Sequence, residues 1–239
     1  MSPNSTAAAP TPAQPVPALK PQAHWQKVYS EKASTGMSWY QEVPTRSLKL
    51  IESFGEASEV EGVKQPLRVI DVGGGASALA DNLLQQPDVE VCLVDIAAKA
   101  IELSRERLGA EGAAHERKGR VRWVEADATG PMEAIADGWA DVWHDRAVFH
   151  FLMSKPEQLA YASNMARILR PGGTAIVAGF SPDGPERCSG LPVQRRDAAA
   201  IAAELSVAGR AFKLVDSYKE EHKTPWGTVQ AFVYAVLKG

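Results

Sequence analysis

From Val69 onward, short apolar runs alternate with stretches whose apolar residues return at helical spacing. Runs of buried-strand character cover Val69 to Val72, Val89 to Val94, Val121 to Glu125, Ala140 to Trp143 and Thr174 to Ala178. Between them, Ser77 to Gln85, Lys99 to Leu108 and Glu157 to Leu169 read as helices. Ile101, Leu103 and Leu108 form the apolar contacts of the second, and Arg170-Pro171-Gly172-Gly173 stops the third. The strands are apolar on both faces, as expected of a parallel sheet covered by helices on either side. Two further strands, near Lys213 to Asp216 and Val229 to Leu237, have no clear helix between them and read as a terminal hairpin. The pattern predicts an α/β, Rossmann-like, doubly wound and mostly parallel sheet, with ligands at the carboxyl ends of its strands.

Before this alternation lies a different kind of sequence. Met1 to Gln22 holds six prolines and five alanines, with little that packs into a core, and is expected to be a disordered tail ahead of one domain over residues 23–239. The tail lacks the apolar stretch of a secretory signal and the arginines of a mitochondrial presequence. No apolar run approaches the ~18 residues that cross a bilayer, so a cytoplasmic protein without a membrane partner is expected. A net charge of -3 offers no broad basic field for phosphate backbones, which argues against nucleic acid as a partner. The only cysteines, Cys92 and Cys188, have no metal-site or disulfide spacing.

The chemistry concentrates where strands end. Arg68-Val69-Ile70-Asp71-Val72-Gly73-Gly74-Gly75-Ala76-Ser77 delivers a strand into a glycine turn, where the backbone comes close to a ligand that a Cβ would strike. Such a turn also serves as an ordinary βα connection, so the neighbouring strand ends decide. Asp95 follows Asp71 by 24 residues, a spacing at which a carboxylate accepts both hydroxyls of a ribose. Glu125-Ala126-Asp127-Ala128 adds a second acidic strand end, although Asp127 alone also fits a helix cap. Ala78 stands where a dinucleotide motif needs its third glycine, which turns the reading away from NAD. Asp71, ahead of the glycines, suits the amino end of a methionine zwitterion and would repel a pyrophosphate.

Four segments in order resemble the class I S-adenosylmethionine-dependent methyltransferases. They are Val69-Ile70-Asp71-Val72-Gly73-Gly74-Gly75, Leu93-Val94-Asp95-Ile96, Glu125-Ala126-Asp127-Ala128 and Leu169-Arg170-Pro171-Gly172-Gly173. The resemblance implies a seven-stranded sheet with an antiparallel last strand and S-adenosyl-L-methionine as cofactor. It implies the methionine end near Asp71, Gly73 and Gly75, the ribose on Asp95, and the adenine near Ile96, Asp127 and Ala128. Ala76-Ser77 after a triple glycine departs from the commoner alternating pattern. His24-Trp25-Gln26-Lys27-Val28-Tyr29 and Ser38-Trp39-Tyr40-Gln41 are similar to the entry segment of elongation-factor and citrate-synthase lysine methyltransferases. By that likeness Trp25, Tyr29 and Trp39 fold over the cofactor. Trp25 and Tyr29, four apart, share a helix face, which serves equally as a lid or as a hydrophobic staple.

The methyl acceptor is sought in Asp141 to Leu152, after the fourth strand of the sheet. Arg146 stands where lysine-methylating relatives carry a lysine, and the pair Asp145-Arg146 resembles small-molecule thiol methyltransferases such as thiopurine methyltransferase. His144 and Arg146 are the candidate acceptor-site residues, with a scaffold role open for His144, and His150 is expected to pack. Cys188, in the long loop after Phe180, would react only if exposed. The expected activity is methyl transfer to a small molecule, a thiol or sulfide, without a metal. A protein-lysine acceptor and a non-catalytic cofactor-binding module are the alternatives.

Overall fold

The computed structural model describes residues 21–206 and 210–239. Its main sheet has seven strands: β1 (Leu67–Val72), β2 (Val89–Asp95), β3 (Val121–Glu125), β4 (Ala140–Arg146), β5 (Leu169–Phe180), β6 (Lys213–Lys223) and β7 (Val229–Lys238). Their spatial order is β6-β7-β5-β4-β1-β2-β3. The five strands from β1 to β5 run parallel to their neighbours, and β7 is antiparallel to both β5 and β6. The expected doubly wound sheet with an antiparallel last strand is therefore present. The tail expected over residues 1–22 lies outside the described residues, except that Pro21 and Gln22 open helix α1 (Pro21–Glu31).

The other helices are α2 (Thr45–Phe54), α3 (Leu79–Leu83), α4 (Ala98–Arg117), α5 (Lys155–Ile168) and α6 (Ala198–Leu205). Strand side chains alternate between two cores because successive residues point to opposite faces. Ile70, Val72, Cys92, Val94, Trp143 and Val177 pack toward α5 and α6. Val69, Val91, Leu93, Val142 and Ile176 pack on the other face, with Leu50 and Ile51 of α2 and Ile101 and Leu108 of α4.

Several elements differ from expectation. The helix expected at Ser77 starts at Leu79, after the glycine turn has finished. Strand β5, expected from Thr174, begins at Leu169, because Leu169 is already extended and the turn glycine Gly172, at φ +73°, is absorbed beside a register shift against β4. Helix α5 starts at Lys155 on a capping box: Ser154 Oγ accepts from the Glu157 N–H, and the Glu157 carboxylate accepts from the Ser154 N–H. The region after Phe180, read as one long loop, holds a two-residue hairpin of Arg187–Cys188 with Leu191–Pro192 before α6.

Candidate active site

The period-2 rule fixes where β4 sends its last three side chains. Asp71 of β1 and His144 of β4 are paired in register, so both point to the α2 face. There His144 Nδ1 lies 2.8 Å from Asp71 Oδ1, and its Nε2 lies 2.9 Å from Ser47 Oγ on α2. All three are buried. Asp145 points to the opposite face, where it accepts from the Val148 and Phe149 N–H groups and from the Tyr161 hydroxyl at 2.5 Å. Burial pushes the Asp145 carboxyl up to about 6.

Arg146 returns to the α2 face, and Ala178 separates it in the sheet from Tyr234 of β7. Because Ala178 is small, Arg146 reaches across it and donates from Nε to the Tyr234 hydroxyl at 3.0 Å. Its Nη1 donates to the Trp39 carbonyl at 3.0 Å, and its guanidinium lies 4.5 Å from the Phe232 ring centroid. Tyr234 in turn donates to Glu220 of β6, which also accepts from Gln41. Arg146 Nη2 and Asp71 Oδ2 are buried with no partner among the described residues.

Two cavities meet here. The larger, about 310 Å³, opens along the carboxyl ends of β1, β2 and β3 and is lined by Gly73, Asp95, Ile96, Asp127 and Ala128. Trp25, Tyr29, Trp39, Arg146 and Phe151 close its other side. The smaller, about 30 Å³, is lined by Ser47, Asp71, Gly73, Gly74 and His144. Trp39, Val72, Gly73 and Arg146 line both.

The glycine turn explains the approach. Gly73 sits at φ +68°, and a Cβ on it would overlap Val148. Gly75 lines neither cavity; it lies behind Asp95, donates its N–H to Asp95 Oδ2 at 3.2 Å, and has no room for a Cβ against that carboxylate. Asp95 Oδ1 accepts from the Ala97 N–H, and burial pushes the carboxyl up to about 7. Asp127 accepts from the backbone and hydroxyl of Thr129 while facing the cavity.

Helix α1 brings Trp25 within 5.9 Å of the Trp39 ring and 5.1 Å of Phe151. Gln26 accepts from the Lys99 N–H and so pins α1 to the start of α4. Tyr29 is buried with Met37, Ala97 and Ala100, so it combines the staple role with a place in the cavity wall. His150 packs edge-on against Phe151 and Phe180, and burial lowers its pKa to about 3. Cys188 lines the large cavity but is buried, with its thiol pushed up to about 11. His222 is not in that wall; its Nε2 lies 2.7 Å from the Ser38 carbonyl. Among the described residues no cluster of metal-ligating side chains occurs, and no helix is long and apolar enough to cross a membrane. Ser47, Glu220 and Tyr234 carried no motif in the sequence and join the site only through tertiary packing, Ser47 from helix α2 and the other two through the sheet register.

Residues 69–173 match a family model described as a methyltransferase domain. The ubiquinone/menaquinone biosynthesis C-methyltransferase UbiE of Stutzerimonas stutzeri is 31% identical over 125 residues, 52% of this chain and 45% of that protein. The match thus spans under half the relative's length. A SAM-dependent methyltransferase from Anabaena variabilis has a similar fold, with a TM-score of 0.65 at 15% identity over 93% of this chain and 96% of the other. The 1,6-didemethyltoxoflavin-N1-methyltransferase of Burkholderia thailandensis, with bound 1,6-didemethyltoxoflavin and S-adenosylhomocysteine, gives 0.59 at 20% identity over 91% and 83%.

Proposed function

We propose that this chain, whose residues 69–173 match a methyltransferase-domain family, binds S-adenosylmethionine and passes its methyl group to a small-molecule acceptor. The observation that carries the reading is the meeting of Gly73, Asp95 and Asp127, from the ends of three parallel strands, in one cavity wall. The residues fit the cofactor. Asp95 would hold the ribose hydroxyls, with Ile96 and Ala128 against the adenine and Asp127 at its edge. The unpartnered Asp71 Oδ2, beside the glycines, suits the ammonium of a methionine zwitterion. Trp25, Tyr29 and Trp39 would cover the sulfonium with ring faces that attract a cation.

The bound cofactor supplies a methyl carbon already activated by positive sulfur. What remains for the chain is alignment and exclusion of water, the work of the α1 and Trp39 wall. His144, with both ring nitrogens engaged, holds Asp71 in place rather than facing the acceptor. A thiol or sulfide suits a cavity to which β4 contributes no imidazole, because a thiol ionises more readily than an ammonium or an alcohol. The ubiquinone/menaquinone biosynthesis role of the Stutzerimonas relative and the 1,6-didemethyltoxoflavin bound to the Burkholderia enzyme also favour a small acceptor.

Calorimetric titration with S-adenosylmethionine, S-adenosylhomocysteine and NAD tests the cofactor: the first two should bind and NAD should not, and Asp95→Ala should abolish binding. Turnover of sulfide, methanethiol and small thiols against a proteome digest then tests the acceptor. Methylation confined to protein lysines would favour the protein-lysine reading, and binding without any turnover the regulatory one.

A further inference from the structure

We infer that Arg146 receives an anionic oxygen of the carboxylate class, carried by a flat and otherwise apolar methyl acceptor; this rests on the methyltransferase reading above. The guanidinium is fixed on three sides, by Tyr234 Oη, the Trp39 carbonyl and the Phe232 ring. Its side chain is 9% exposed, yet Nη2 has no partner among the described residues. A buried charged donor left unpaired is costly, so one on a fixed side chain that lines both cavities marks where an acceptor atom belongs.

The surrounding charges do not satisfy it. Glu220 lies 4.0 Å from Nε and already accepts from both Tyr234 and Gln41. Elsewhere in the large cavity, Asp95 accepts from the Gly75 and Ala97 N–H groups, Asp127 from Thr129, and Glu157 from Ser154. None of them pairs with Arg146. A cationic cofactor beside a guanidinium whose Nη2 is still unpartnered, although Glu220 forms an ion pair with its Nε, disfavours a protonated amine and favours an anion, whose charge that free corner of the guanidinium matches. The rest of this wall is flat and apolar, from Trp25, Trp39, Phe151, Leu191 and Pro192. Arg146 also lines the small cavity, so a second source of the same chemistry is the carboxylate of the cofactor's methionine end.

The full chain, saturated with S-adenosylhomocysteine, is titrated calorimetrically with 2-naphthoate, 2-naphthamide and 2-naphthylmethylammonium. The naphthoate should bind at least tenfold more tightly than the amide, and the ammonium most weakly. Arg146→Gln should level the first two while S-adenosylhomocysteine affinity stays within threefold of wild type, and Arg146→Lys should keep part of the preference. Equal binding of naphthoate and naphthamide to the wild type overturns the inference without any variant. So does a tenfold loss of S-adenosylhomocysteine affinity in Arg146→Gln with 5′-methylthioadenosine affinity unchanged, which assigns the guanidinium to the methionine carboxylate. Failure of S-adenosylhomocysteine to bind the wild type instead overturns the parent reading, and the naphthoate preference is then read on the ligand-free protein.

Discussion

Asp95 uses both carboxylate oxygens on backbone N–H groups, yet its burial outweighs them and moves its pKa from an ordinary 3.8 to about 7. Ribose hydroxyls donate to the ionised form, so cofactor affinity should fall by up to tenfold per pH unit below 7, and Asp95→Asn should bind weakly with no such slope. Calorimetry at pH 6 and pH 8 checks this. The same shift costs stability as pH rises: between 3.8 and 7 the unfolded chain has released this proton while the folded chain keeps it. His150 works in the opposite direction. Its folded pKa lies near 3 against 6.5 when unfolded, so stability is lost as pH falls below 6.5. At pH 5 that loss is about 2 kcal/mol. His150→Phe should remove it, read as a smaller difference between urea unfolding curves at pH 7 and pH 5. Asp71 and Gly73 stood out as candidates because a strand there runs into a glycine turn, and Asp95 because it ends the next strand 24 residues on. Ser47, Glu220 and Tyr234 did not, since an unremarkable serine in a helix and two residues on a hairpin acquire meaning only from neighbours far away in the chain.

At the scale of elements, α1 joins two roles that the sequence left equal. Tyr29 is buried among Met37, Ala97 and Ala100, whereas Trp25 is only partly buried and meets Trp39 and Phe151 at the cavity. Tyr29→Ala should therefore cost roughly 3 kcal/mol or more of stability. Trp25→Ala should leave the unfolding curve nearly in place and weaken cofactor binding several-fold. Equal effects on stability from both would mean that α1 is only a staple. The strands that carry the cofactor wall were readable from their apolar runs, because burial on both faces leaves no room for polar alternation. Element ends were less so: Leu169 is apolar enough to extend the preceding helix, and only its pairing with Ala140 makes it the start of β5. Helix α6 was not anticipated, its alanine-rich turns following a loop of turn-forming residues and lacking a distinctive apolar stripe.

For the whole molecule, ligand and fold are linked through the sheet. S-adenosylhomocysteine at a hundred times its dissociation constant should stabilise the folded state by about 2.7 kcal/mol, which in a chain of this size raises the midpoint of thermal unfolding by roughly 5–10 °C. NAD at the same concentration should leave it unmoved. The architecture was legible as a whole because alternating strands and helices admit few arrangements, and the glycine turn said which edge of the sheet carries the site. The hold on Arg146 bears on a different process, synthesis. Arg146 emerges from the ribosome long before Glu220 and Tyr234, which clamp it from the last hairpin. The strand ends proposed to hold the methyl donor all lie in the first half of the sheet's sequence, whereas the hold on Arg146 is complete only when the last strand has been made, so the two sides of the cavity are set at opposite ends of synthesis.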